Sequence, residues 1–121
     1  MTYVDGFVLV VPKKNRVAYK RMAQDGKRMW MKFGALDYKE CRIDDAKPRW
    51  VKLTFPKMIK AKPTEEVWFS YIVYKNKKHR DAVNKKVMAL MDKDAKKYKD
   101  KKMPFDMKRM AYGGFVVEVE G

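Results

Sequence analysis

The sequence predicts an α+β fold of β-α-β-β-α-β order, a four-stranded antiparallel sheet with both helices on one face and the other face paired in a sheet-to-sheet homodimer. Three observations carry this. Apolar residues alternate with a strand period at both ends and in the middle of the chain, and two intervening stretches follow a helical period. The strand-like stretches carry large apolar side chains at both parities, so both faces of the sheet call for a cover. The length of 121 residues, 46% hydrophobic and 37% charged, suits one globular domain over 1–121.

The first strand reads from Tyr3 to Val11, with Tyr3, Phe7, Leu9 and Val11 on one side and Val4, Val8 and Val10 on the other. Pro12 lacks a backbone donor and ends it. From Lys14 to Phe33, Tyr19, Met22, Gly26, Trp30 and Phe33 recur at three- and four-residue spacing as a helical stripe. Asn15 suits the N-cap and Gly34 the C-terminal stop. Gly26 lowers helix propensity by about 1 kcal/mol against alanine, so its place on the stripe predicts close helix-to-sheet approach.

Ala35 to Ile43 reads as the second strand, with Leu36, Tyr38 and Glu40 on one side and Ala35, Cys41 and Ile43 on the other. Asp44 to Thr64 contains Pro48, Pro56 and Pro63, and reads as a long connection with one helical turn that serves as lid or rim. Glu66 to Tyr74 is the clearest strand. The second helix starts near Lys77 and buries Val83, Val87 and Leu90 or Met91, with Arg80, Lys85 and Lys86 turned outward; Asp92 to Lys102 is polar all round. Pro104 breaks that helix, and Met110 to Val119 forms the last strand, where Gly113 and Gly114 predict a bulge or a close backbone approach.

With 30 Lys plus Arg against 15 Asp plus Glu, the net charge is +15, and a homodimer doubles it to +30. Such a field attracts polyanions and opposes self-association. No apolar run reaches the roughly 18 residues of a membrane span, and the start shows no signal-peptide pattern. One cysteine excludes an intrachain disulfide, and with the missing leader it points to the cytoplasm. His79 is the sole histidine, so no histidine cluster for a metal is available, and no nucleotide-binding or nucleophile-elbow motif occurs. No metal or cofactor is expected.

Three polar residues within or beside strands are the catalytic candidates: Asp5, Glu40 and Arg109. A carboxylate inside a strand needs a partner, and Arg109 is the expected counterion of Asp5 because the first and last strands come from chain ends that can lie together. Trp68, Ser70, Tyr71, Cys41 and Tyr112 are candidates for lining a pocket with polar tips directed inward.

Tyr3-Val4-Asp5-Gly6-Phe7, Phe33-Gly34-Ala35-Leu36, Phe69-Ser70-Tyr71-Ile72-Val73-Tyr74, His79-Arg80-Asp81-Ala82-Val83-Asn84 and Met103 to Phe115 together resemble the YbaA-like family, small bacterial proteins built on a domain of unknown function. The resemblance spans nearly the whole chain, and Met103 to Phe115 is its most specific part. It implies a ferredoxin-like subunit of the dimeric α/β-barrel superfamily, which includes cofactor-independent monooxygenases, muconolactone-isomerase-like enzymes and haem-dependent relatives. Fold does not carry function, and no catalytic residue transfers. The lysine load of Lys93 to Lys102 departs from the family pattern.

The leading expectation is a homodimeric barrel whose subunits each hold a small apolar or aromatic ligand between sheet and helices, for monooxygenase-like or isomerase-like chemistry. The rival is sequence-independent binding of RNA or another polyanion through Lys75 to Lys102, which carries 12 basic and 4 acidic residues, with Lys85, Lys86, Lys93, Lys96, Lys97, Lys99, Lys101 and Lys102 as contacts. A structural or interaction protein without ligand is the third reading.

Overall fold

The computed structural model of the chain describes residues 1–94 and 102–121. Its elements are β1 (Tyr3–Pro12), α1 (Arg16–Lys32), β2 (Asp37–Arg42), α2 (Phe55–Ile59), β3 (Glu65–Tyr74), α3 (Lys77–Lys93) and β4 (Ala111–Val116). The four strands form one sheet in the order β2-β3-β1-β4, and every neighbouring pair is antiparallel. The predicted β-α-β-β-α-β order holds, with α2 as the single helical turn in the long connection.

Pairing register sorts every strand residue to a face. Tyr3 stands opposite Tyr74, Asp5 opposite Ile72 and Leu9 opposite Trp68. Glu40 stands opposite Ser70, and Gly114 opposite Asp5. These residues face the helices, and the core has two parts. One gathers Tyr3, Ile72 and Tyr74 under Val83 and Val87 of α3. The other gathers Leu9, Val11 and Trp68 under Tyr19 and Ala23 of α1, with Phe105 sealing its edge.

Local chemistry sets the element ends. Gly34 takes φ +107°, a left-handed conformation that stops α1. Asn76 accepts the His79 backbone N–H at 2.8 Å to cap α3, and His79 Nδ1 accepts the Lys75 N–H at 3.0 Å, so the lone histidine closes the same turn. Asn15 occupies the cap position of α1 but donates its side-chain amide to the Pro104 carbonyl at 3.0 Å. A 3-10 turn over Lys13–Asn15 leads the chain into α1, which leaves that amide free to tie α1 to the segment before β4.

Of the two outcomes expected at Gly113 and Gly114, the bulge does not form, because the register to β1 runs unbroken through both. Close approach is the reason for both glycines. On the open face the Phe115 ring lies over Gly113, with a 3.0 Å approach to where a Cβ would stand, and reaches over Gly6. On the helix face the Tyr3 ring occupies the corresponding space at Gly114.

The open face presents Val4, Val8, Phe69, Tyr71, Val73 and Phe115, with Phe69 and Phe115 well exposed. α2 packs against β3 here and sets the Phe55 ring 6.5 Å from Phe69, so the long connection rims the open face.

Candidate functional site

The sheet's helix face carries two polar clusters at separate places. The first centres on Glu40 of β2. Tyr19 descends from α1, flanked by Trp68 at 4.9 Å and Phe105 at 5.6 Å between ring centroids, and its hydroxyl donates to Glu40 Oε1 at 2.7 Å. The Tyr38 hydroxyl donates to Oε2 at 2.7 Å. Gly26 makes this possible: a Cβ there would stand 2.9 Å from the Tyr38 hydroxyl. Burial first, and then the charge of Glu40, push both phenols well above the ordinary tyrosine range. Both therefore remain hydrogen-bond donors, and each carboxylate oxygen keeps a further acceptor site.

A cleft of about 260 Å³ opens beside this carboxylate between α1 and β2. Tyr38, Glu40 and Trp68 form its inner wall, and Lys20, Lys27 and Arg42 contribute cations to its lining. Among the described residues none of these three cations makes an ion pair. Trp68 is held by its indole N–H, which donates to Glu66 at 3.2 Å. Arg16 grips Glu66 with two hydrogen bonds of 2.9 and 2.7 Å and holds its carboxyl below the usual range.

The second cluster centres on Asp5, which is 2% exposed. Its counterion is Arg80, at 2.8 Å, and the Tyr112 hydroxyl donates to the same oxygen at 2.9 Å. Arg80 also bonds Asp81 at 2.7 Å and lies over the Tyr3 ring at 5.0 Å. This corrects two expectations. Arg80 turns inward from α3, and Arg109 does not meet Asp5 but pairs with Glu65 at 2.6 Å and the Lys60 carbonyl at 3.0 Å. Register explains it: Arg109 precedes β4 at the end of β1 where Pro12 faces Glu65, whereas Asp5 lies opposite Gly114 toward the other end.

The catalytic candidates Asp5, Glu40 and Arg109 thus occupy three different places. Among the pocket candidates, Trp68 and Ser70 share a face with Glu40, Tyr112 joins Asp5, and Tyr71 and Cys41 project from the opposite face. The period-two alternation of a strand forbids one pocket from holding all five. Tyr19, Tyr38, Arg42, Lys20 and Lys27 are the site residues that sequence reasoning missed. Their signal was present only for Tyr19 and Tyr38, whose polar tips need partners when buried.

Lys85, Lys86 and Lys93 are exposed on α3, and Lys102 is exposed; Lys96, Lys97, Lys99 and Lys101 lie outside the described residues. Among the described residues no helix is long and apolar enough to cross a membrane. Nor does any group of three or more His, Cys, Asp or Glu among them suit a metal ion.

Strand order, antiparallel pairing and paired helices define a ferredoxin-like α+β fold. The chain belongs to the family described as "Protein of unknown function (DUF1428)", whose pattern matches residues 2–107. It is 44% identical over 115 residues to "Uncharacterized protein YbaA" of Escherichia coli, with 95% of each chain covered. The protein of the same description from Shigella flexneri shows the same identity and coverage. The matched region contains Asp5, Glu40 and Arg80, while Tyr112 lies beyond it.

Proposed function

We propose that this protein works in the cytoplasm as a sheet-to-sheet homodimer, a dimeric α/β barrel, whose subunits each bind a small, largely aromatic ligand in the cleft between α1 and β2. The observation that carries the reading is Glu40, a carboxylate held by two phenols at 2.7 Å beside a cleft walled by Tyr38 and Trp68. A volume of about 260 Å³ falls just below the roughly 300 to 1,000 Å³ of drug-sized pockets, so the ligand is small. Glu40 is the hydrogen-bond acceptor there, because both neighbouring phenols hold their protons. Pairing through the open face supports the barrel, since it would cover Val4, Val8, Phe69, Val73 and Phe115.

Calorimetric titration with a panel of small aromatic compounds tests the cleft. At least one should bind, and Glu40→Gln should change its affinity tenfold or more while leaving the far-UV spectrum intact. If no compound binds at millimolar concentration, the cleft reading is wrong. Sedimentation should give twice the chain mass, and a monomer at 100 μM would dismiss the barrel.

A second reading, binding of RNA or another polyanion through Lys75 to Lys102, is favoured by one observation. The exposed α3 lysines Lys85, Lys86 and Lys93 lie on a helix that packs beside α1, whose exposed side adds Arg21, Arg28 and Lys32. Titration of labelled RNA at several salt concentrations should then give a steep log-log slope, and affinity independent of salt would exclude it.

A further inference from the structure

The cleft's charge and its hydrogen-bonding capacity narrow the ligand class, an inference that rests on the cleft being a binding site. Lys20, Lys27 and Arg42 against the single carboxylate of Glu40 give the lining a net charge of +2. The other carboxylates nearby are already engaged, Asp25 by Arg28 and Glu66 by Arg16, with Arg42 adding its charge to Glu66 without an ion pair. Three cations without an ion pair among the described residues, next to aromatic walls, favour a negatively charged planar molecule.

Glu40 adds a second requirement. Tyr19 and Tyr38 fill one acceptor site on each oxygen, and what remains on the carboxylate is acceptor capacity only. An anionic group placed against Glu40 would be repelled, so the ligand must turn its charge to the lysines and arginine and offer a hydroxyl or N–H to the carboxylate. The two polar groups lie on one small planar frame.

We infer that the cleft between α1 and β2 binds a small aromatic carboxylate bearing a separate hydrogen-bond donor, with its carboxylate facing Lys20, Lys27 and Arg42 and its donor facing Glu40. A phenolic acid is the simplest member of this class. Bidentate geometry makes Arg42 the stronger carboxylate partner, and the lysines act as point charges.

The probes are 4-hydroxybenzoate, its neutral analogue 4-hydroxybenzamide, and benzoate, which lacks the donor, titrated calorimetrically into the full chain. The expected order has 4-hydroxybenzoate binding at least tenfold tighter than either of the others. In the double variant Lys27→Met/Arg42→Met, whose side chains are exposed and outside the core, the preference for acid over amide should collapse to less than threefold. Affinity of the wild type should also fall as salt rises. Equal binding of acid and amide, or unchanged acid binding by the double variant, overturns the ligand class. It leaves the cleft standing, provided that Glu40→Gln still alters binding. Failure of all three probes and of the wider aromatic panel overturns the cleft and the ligand class together.

Discussion

At the scale of single residues, charge burial sets the largest effects. Arg80 reaches Asp5 with a side chain that is 13% exposed, against 2% for Asp5. Breaking a buried pair by removing one partner costs about 3–5 kcal/mol, because the other charge stays desolvated. Arg80→Met should therefore lower unfolding free energy by about that amount in urea titration, and Asp5→Asn/Arg80→Met should lose clearly less than Arg80→Met alone. A surface role for Arg80 would leave the midpoint unchanged. Glu66 and Glu65 give the pH dependence. The hydrogen bond from Arg16 and that from Arg109 hold the two carboxyls below 4.5 in the folded chain. A depressed folded value means stability that is present above about pH 4.5 and lost as pH falls through the folded values. Arg16→Met should thus reduce stability at neutral pH and flatten its decline on acidification, as followed by thermal unfolding between pH 3 and 7. That Asp5 needed a partner was legible from a carboxylate between strand residues. Its identity was not, because Arg80 sits on the flank of α3, and a long guanidinium side chain can turn inward from a position that periodicity assigns to solvent.

At the scale of elements, Gly26 joins the packing of α1 to the chemistry of the cleft. Alanine would gain about 1 kcal/mol of helix propensity. Its Cβ would stand 2.9 Å from the Tyr38 hydroxyl, and relieving such overpacking costs about 1–3 kcal/mol. Tyr38 cannot yield freely, since its hydroxyl is bonded to Glu40 at 2.7 Å. Gly26→Ala should therefore be destabilising by about 1 kcal/mol in urea unfolding and should weaken ligand binding several-fold. A stabilised variant with unaltered binding would show that α1 has room to spare. The stripe that builds α1, and the glycine within it, were readable from spacing alone. So were the strands, whose observed limits differ from the expected ones by a few residues at β2 and β4, where the antiparallel pairing ends before the apolar pattern does. Gly113 and Gly114 announced a bulge or a close approach, and the structure shows the close approach. A bulge and an aromatic ring packed over each face both ask for a missing Cβ, and the choice depends on where Tyr3 and Phe115 come to rest.

At the scale of the whole molecule, the distribution of charge decides how a +15 chain could pair with itself. Positions on the open face of β1 and β4 carry no charge, and on β2 the open-face charges Asp37 and Lys39 neutralise each other at 2.7 Å. The lysines and arginines of α1 and α3 lie on the other side of the sheet. On β3 the open-face Glu65 is paired with Arg109 at 2.6 Å. The centre of the proposed seam is therefore apolar, and the repulsion of the doubled charge acts from the helix layers and from the lysines of the α2 connection at the rim. The Debye length falls from roughly 10 Å at 0.1 M salt to about 3 Å at 1 M, so added salt removes most of that repulsion while leaving apolar contact intact. Sedimentation equilibrium at 0.05 and 0.5 M sodium chloride should accordingly show a dimer that tightens several-fold at the higher salt. Val8→Lys, which places a charge in the middle of the open face, should give a monomer at both. A dimer held by ion pairs would behave in the opposite way, loosening as salt rises, and such a result would move the interface from the sheet to the charged helix layer.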